Sequence, residues 1–256
     1  MPVRTQSRCI NRLASLMFCF VLVSPTASVA QDRLVLNVRH DHAWGNCSGT
    51  LTLDDRGARY ETTHAKDARN WTYEDVQQFQ VEESRRLRIL TYEDRKWRLG
   101  VDKAFEFDWQ GNEPTPEEVY QFIQARVRRP IAAELLPSGV GEALYEFPVK
   151  HLGVLRGVEG RLRFTDRWIV LQAEERLKEK ERSQEKEKNT GNRTWRYDDL
   201  ESISSSGPYE LTLTTYEQQK FRYASRRVYR FQLKEALPPE TYDTLWRFVN
   251  GKKGRQ

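Results

Sequence analysis

The ten residues Asn70–Phe79 (NWTYEDVQQF) return in altered form as Thr194–Ile203 (TWRYDDLESI). An internal repeat constrains a chain more than its composition does, because whatever one copy folds into, the other must fold into as well. A shift of 124 positions sets Trp71 against Trp195, Tyr73 against Tyr197, Asp75 against Asp199 and Val76 against Leu200. The same register continues without a gap through Leu87 and Leu211, Ile89 and Leu213, and Thr91-Tyr92-Glu93 and Thr215-Tyr216-Glu217. It ends at Phe105 and Tyr229, then Phe107 and Phe231. Upstream the shift is 111: Val38-Arg39-His40 meets Val149-Lys150-His151, Gly49 meets Gly160 and Leu51 meets Leu162. The difference between the shifts requires an insertion in the second copy, and Glu174–Lys188 (EERLKEKERSQEKEK) supplies it. Two copies make a pair of domains rather than a solenoid.

Each copy reads mainly as strand. In the first, Leu34–Val38 is followed by the alternating Thr50–Leu53 and, after the Arg56-Gly57 turn signal, by Ala58–Thr62. Trp71–Val81, Leu87–Tyr92, Trp97–Val101 and Ala104–Trp109 complete about seven strands. Alternation puts Leu51 with Leu53, Leu87 with Ile89 and Phe105 with Phe107 on shared faces. The copy then changes period. Thr115 is placed to cap a helix, Pro116 suits its first turn, and Val119, Phe122, Ile123 and Val127 recur at helical spacing. The second copy does the same from Pro238-Pro239-Glu240 through Tyr242, Leu245, Trp246 and Val249, with Gly251 after. A small bent sheet has an open end, and an amphipathic helix can close it with apolar surface that a domain of this size otherwise lacks.

Seven strands and a closing helix, marked by Trp-x-Tyr, Thr-Tyr-Glu and Phe-x-Phe at Trp71–Tyr73, Thr91–Glu93 and Phe105–Phe107, resemble the pleckstrin-homology-like superfold and its bacterial and GRAM-type relatives. The resemblance covers nearly all of both copies and implies two tandem β-sandwich or barrel domains, each with a C-terminal capping α-helix. The boundaries expected are 31–130 for the first domain, 131–141 for a linker and 142–253 for the second domain, which carries the charged insertion 174–188. The linker holds Pro and Gly, as a boundary should, but also Ile131, Leu135 and Leu136, which suit docking.

Residues 1–30 read as a secretory signal peptide: Arg4, Arg8 and Arg12, the short apolar run Leu13–Val23, then Ser28-Val29-Ala30 as the cleavage site. Its removal takes three arginines and no acid, so the formal charge falls from +5 to +2. A near-neutral mature chain speaks against a nucleic-acid footprint, which needs clustered Lys and Arg. Cys9 and Cys19 leave with the leader, so Cys47 alone remains; an internal disulfide and a multi-Cys zinc site are both excluded. No later segment is apolar enough to span a membrane.

Three groups of residues are candidates for chemistry. His40, His42 and Cys47, with His64 nearby in sequence, form the sharpest cluster; alternation on a strand would aim His40 and His42 the same way, toward zinc or copper. The second copy keeps His40 as His151 but has Gly153 for His42 and Val158 for Cys47, which favours a role for the shared His in the fold. Lys150, Arg161 and Arg163 look like the headgroup-binding pattern of pleckstrin-homology domains, although the first copy has Thr50 and Thr52 at the arginine positions. Trp71, Tyr73, Trp195 and Tyr197 could present an aromatic surface, but their presence in both copies suits cross-strand packing. The chain contains no G-x-S-x-G elbow, P-loop, H-E-x-x-H or dinucleotide fingerprint.

The expectation is therefore an exported, non-catalytic binding or scaffold protein of the cell envelope or secreted space, in the periplasm or outside the cell. It requires no cofactor, and its partner is an envelope or secreted protein. The alternatives are a metal-binding protein using His40, His42 and Cys47, and an anionic-lipid binder making peripheral membrane contact through Lys150, Arg161 and Arg163.

Overall fold

Both copies trace the same path through space. The computed structural model describes residues 32–41, 45–95, 98–153, 157–174, 191–218 and 226–251; the expected leader, His42 and the charged insertion beyond Glu174 lie outside them. In copy one, β1 (Arg33–Asp41), β2 (Asn46–Asp54), β3 (Gly57–Thr62), β4 (Arg69–Thr72), β5 (Val76–Glu82), β6 (Arg86–Arg95) and β7 (Arg98–Trp109) precede α1 (Pro116–Arg126). After β8 (Ile131–Glu134), copy two repeats the series as β9 (Tyr145–Leu152), β10 (Gly157–Phe164), β11 (Trp168–Ala173), β12 (Arg193–Arg196), β13 (Leu200–Gly207), β14 (Glu210–Gln218) and β15 (Arg226–Leu233), closed by α2 (Pro239–Asn250). The protein is mainly β, as the alternation predicts.

The hydrogen-bonded order within copy one is β5-β6-β7-β1-β2-β3-β4, and within copy two β13-β14-β15-β9-β10-β11-β12. These are the same order, element for element. Each copy gathers its own apolar cluster. In copy one Leu51, Phe79, Ile89 and Phe107 lie under Val119 and Ile123 of α1. In copy two Leu162, Ile203, Leu213 and Phe231 lie under Leu245 and Val249 of α2. Each fully buried Leu, Ile, Val or Phe stabilises by about 1.5–3 kcal/mol, so the two or more that each helix contributes are a substantial share of a small core. The capping box forms at α1: the Glu118 N–H donates to Thr115 Oγ1 and the Thr115 N–H donates back to Glu118 Oε2. Gly49 and Gly160 occupy equivalent points on β2 and β10. A Cβ there would meet the carbonyl oxygen of Glu61 at 2.2 Å or of Gln172 at 2.3 Å, so the neighbouring strand can cross only over glycine.

Two boundaries differ from expectation. Trp71–Val81 is not one strand, because the Asp75 carboxylate accepts the Thr72 N–H at 2.8 Å and turns the chain between β4 and β5. Asp199 accepts the Arg196 N–H at the same point in copy two. Conversely, the two strands expected across Trp97–Trp109 are the single strand β7.

The segment expected as a linker begins with a strand that joins the two copies. β8 runs parallel to β5, with Phe79 opposite Ile131 and Glu82 opposite Glu134, and antiparallel to β12, with Thr194 opposite Ala133. One sheet thus continues through fifteen strands among the described residues, with β13 and β4 at its ends. Other bonds cross the junction: Thr194 Oγ1 donates to Leu135 O at 2.8 Å, and Gln218 Nε2 to Gln77 Oε1 at 2.8 Å. Trp168 of copy two packs on the copy-one cluster, its ring 6.1 Å from that of Tyr120 on α1.

Because β8 is hydrogen-bonded on both sides, Ala133→Pro removes a ladder bond that cannot be recovered from water. The expected loss is about 1–3 kcal/mol, read as a lower urea midpoint for the whole chain. An unchanged midpoint would show that β8 does not hold the copies together.

Candidate functional site

The repeated aromatic and acidic residues close the same bonds in both copies. Trp71 Nε1 donates to Glu93 Oε1 at 2.8 Å, and Trp195 Nε1 donates to Glu217 Oε1 at 2.9 Å. Thr91 Oγ1 donates to Lys103 O at 3.1 Å, and Thr215 Oγ1 to Arg227 O at 3.2 Å. Tyr73 OH donates to Asp54 O, and Tyr197 OH to Thr165 O. The indoles pack on Phe105 at 4.7 Å and on Tyr229 at 4.8 Å between ring centroids. Trp71, Tyr73, Trp195 and Tyr197 are therefore committed to the interior of their own copies.

Around the Phe105 and Tyr229 rings the repeat has a further layer. Arg69 and Lys103 lie over Phe105, at 5.6 and 4.3 Å from its centroid. Arg193 and Arg227, their counterparts, lie over Tyr229 at 5.9 and 5.1 Å. Arg69 also approaches Glu93 at 3.5 Å, and Arg227 approaches Glu217 at 3.6 Å. Each copy thus holds a ring flanked by two cations, with a Trp-bound carboxylate beside it.

The copies differ in what covers this cluster. In copy two, β8 delivers Glu134, which pairs with Arg193, lies 3.8 Å from Arg227 and accepts from Gln80 Nε2 at 2.8 Å. Tyr229 OH donates to Glu217 Oε2 at 2.7 Å. The Glu217 side chain is only 2% exposed, whereas that of Glu93 is 37% exposed and that of Arg69 26%. Burial alone would lower Arg193, yet Tyr229, Glu134 and Glu217 hold it above its ordinary value. Burial pushes Tyr229 up. Burial, reinforced by Arg193 and Arg227, brings His151 down from 6.5 to about 4.

The other sequence candidates are placed as follows. His40 and Cys47 face each other across β1 and β2 and are both buried. His40 Nδ1 donates to Glu106 O at 2.8 Å, and its ring lies 5.0 Å from Phe107. The Cys47 thiol sits 3.0 Å from Tyr60 OH. His64 is exposed in the turn between β3 and β4. Among the described residues no three His, Cys, Asp or Glu side chains converge on a metal-sized site. Arg161 and Arg163 come together on Glu146, at 2.7 and 3.3 Å, and line a hollow of about 680 Å³ with it and Glu174. Lys150 lines a separate hollow of about 380 Å³ with Tyr209 and Lys234.

Sequence reasoning did not find Glu93 and Glu217 as partners of the tryptophans, although their constant spacing from Trp71 and Trp195 carried the signal. It had no means of finding Glu134, which reaches Arg193 and Arg227 only through the sheet that β8 completes.

No protein-family model matches the chain, and no curated protein matches it. Among solved structures, a chain from the structure of the Spt16D Pob3N heterodimer is similar at 8% identity and a TM-score of 0.30, covering 72% of this chain and 84% of that one. No helix among the described residues is long and apolar enough to cross a membrane.

Trp→Phe substitution keeps the ring but removes the donor to the carboxylate. Trp195→Phe leaves the buried Glu217 short of a partner and is expected to cost about 1–3 kcal/mol. Trp71→Phe leaves a carboxylate that water can reach and should cost well under half as much; equal losses in urea unfolding would contradict the difference between the sites. His151 is held neutral by the fold while the unfolded chain protonates near 6.5. The unfolded state therefore binds more protons below that pH, and the contribution to stability is complete above pH 6.5 and lost as the pH falls toward about 4. His151→Gln is expected to flatten the unfolding midpoint across that window, and an unaltered acid slope would refute the assignment.

Proposed function

We propose that the protein is an exported, non-catalytic binding protein of two pleckstrin-homology-like domains that captures an extended segment of a partner protein between β13 and α2. The observation that carries this reading is the occupied groove in copy one. There β8, an extended segment, lies along the edge of β5, and Ile131 and Leu135 join the cluster that contains Phe122 of α1. The counterpart of β5 is β13, which has no strand on its outer side among the described residues. On α2, Trp246 is 48% exposed, whereas Phe122 on α1 is 7% exposed. Ser204, Ser205 and Ser206, which stand where Gln80, Val81 and Glu82 pair with β8, are also exposed. A free strand edge offers main-chain hydrogen bonds, and an exposed Trp on α2, the helix that packs on β13, offers an anchor of the kind that dominates binding energies.

Other observations support the reading. The strand order and closing helix of each copy are compatible with a pleckstrin-homology-like fold. Glu93, Glu134 and Glu217 each take part in hydrogen bonds or ion pairs with the surrounding protein, which suits a structural role better than proton transfer. The leader-like sequence of residues 1–30 supports export, and the near-neutral charge of the remainder supports a protein partner over nucleic acid.

The test is a photo-crosslinking amino acid placed at Ser204 in the native host, with the exposed Arg59 on the interior strand β3 as control. A discrete protein adduct at Ser204 and none at Arg59 is expected, with Trp246→Ala reducing the yield roughly tenfold or more. No adduct at Ser204, or the same adduct at Arg59, would overturn the proposal.

A further inference from the structure

We propose that the outer edge of β4, at the other end of the sheet, is a separate docking site for an extended protein segment bearing a carboxylate side chain, which lies antiparallel to β4 and seats its acid on Arg69. The occupant's chemistry follows from the repeat within this chain. The counterpart of β4 is β12, and β12 already holds such a segment: β8 runs antiparallel to it with Ala133 opposite Thr194. The next residue, Glu134, puts its carboxylate against Arg193 and near Arg227. The residue after that offers the Leu135 carbonyl, which accepts from Thr194 Oγ1 at 2.8 Å.

Much of that arrangement is present at β4, although Phe105 lacks the hydroxyl that Tyr229 donates to Glu217. Arg69 stands for Arg193 and Lys103 for Arg227, both over the ring of Phe105 as their counterparts are over Tyr229. Trp71 holds Glu93 as Trp195 holds Glu217. Asn70 stands for Thr194 and keeps a side chain able to donate to a carbonyl. β4 ends the sheet with no strand on its outer side among the described residues, and Asn70 and Thr72 are exposed. The Arg69 and Glu93 side chains remain 26% and 37% exposed, whereas Arg193 and Glu134 are 7% and 9% exposed once β8 is in place. Arg69 already donates to the carbonyls of Lys66 and Ala68 and lies near Glu93; an acidic strand would add the further carboxylate that Arg193 receives from Glu134, and a neutral strand would bury Arg69 without it. This site rests on β4 alone and does not depend on the groove at β13.

The test uses the full chain and a fluorescently labelled peptide with the sequence of residues 130–136 (PIAAELL), alongside the same peptide with Gln in place of its Glu. The acidic peptide is expected to bind saturably, to protect residues 69–72 from hydrogen exchange, and to bind at least tenfold more tightly than the Gln peptide at low salt. Asn70→Pro, which blocks the exposed edge, is expected to abolish binding, and Ser204→Pro to leave it unchanged. The exchange measurement stands without either variant. No saturable binding, equal binding of the Gln peptide, or protection that appears at 200–207 in place of 69–72 would overturn the β4 site. The last of these outcomes would leave the β13 groove supported.

Discussion

All four residues of β8 pair with β5 and Ala133 also pairs with Thr194 of β12, and the continuity of the sheet depends on that double pairing. On one side the strand satisfies the edge of β5, and on the other the edge of β12. A sheet of this strand order otherwise ends in two edges, each a row of unpaired donors and acceptors. Had the chain after α1 stayed in solvent, each copy would have kept both of its edges. With β8 in place, one edge of each copy is removed from solvent, and the open edges of the molecule are reduced to β4 and β13 among the described residues.

The charges at the junction make that pairing selective. Arg193, Glu134 and Glu217 lie together in an interior where each has lost most of its water, with the partly exposed Arg227 at its margin. Taking such groups out of water costs several kcal/mol per ion, and the loss is offset only when every partner is present with good geometry. Displacing β8 by one residue would turn Glu134 to the opposite face of the sheet and leave Arg193 buried without it. The apolar residues of β8 supply contact area, and its one acid rejects the wrong register.

Much of the fold was legible in the chain. Period-two alternation located most strands, and Thr115, Pro116 and the spacing of Val119, Phe122 and Ile123 located α1. The Trp-x-Tyr repeat marked equivalent places in two like units. Strand limits were less legible where a side chain makes the turn: nothing in the hydropathy of Trp71–Val81 reveals that Asp75 folds back on Thr72. His40 and Cys47 had the spacing of metal ligands, yet their partners proved to be Glu106 and Tyr60, one on β7 and one on β3. Arg161 and Arg163 share a face, as alternation requires, but Glu146 on the neighbouring strand occupies them both, and Lys150 falls in another hollow.

What the sequence by itself determined is the local and the repeated: strand periodicity, helix caps, and the equivalence of two units whose residues meet the same neighbours in each. Those features depend on residues close in the chain or on comparison of one copy with the other. What only the tertiary structure decided is where the copies cease to be equivalent. Arg69 and Arg193 occupy the same position in their repeats, but Arg193 is sealed beneath Glu134 while Arg69 stands at an open edge. The cause is that α1 is followed by a strand lying between the two copies, paired with β5 on one side and β12 on the other. Pairing of this kind joins residues about fifty to sixty positions apart and leaves no periodic trace in the residues that make it.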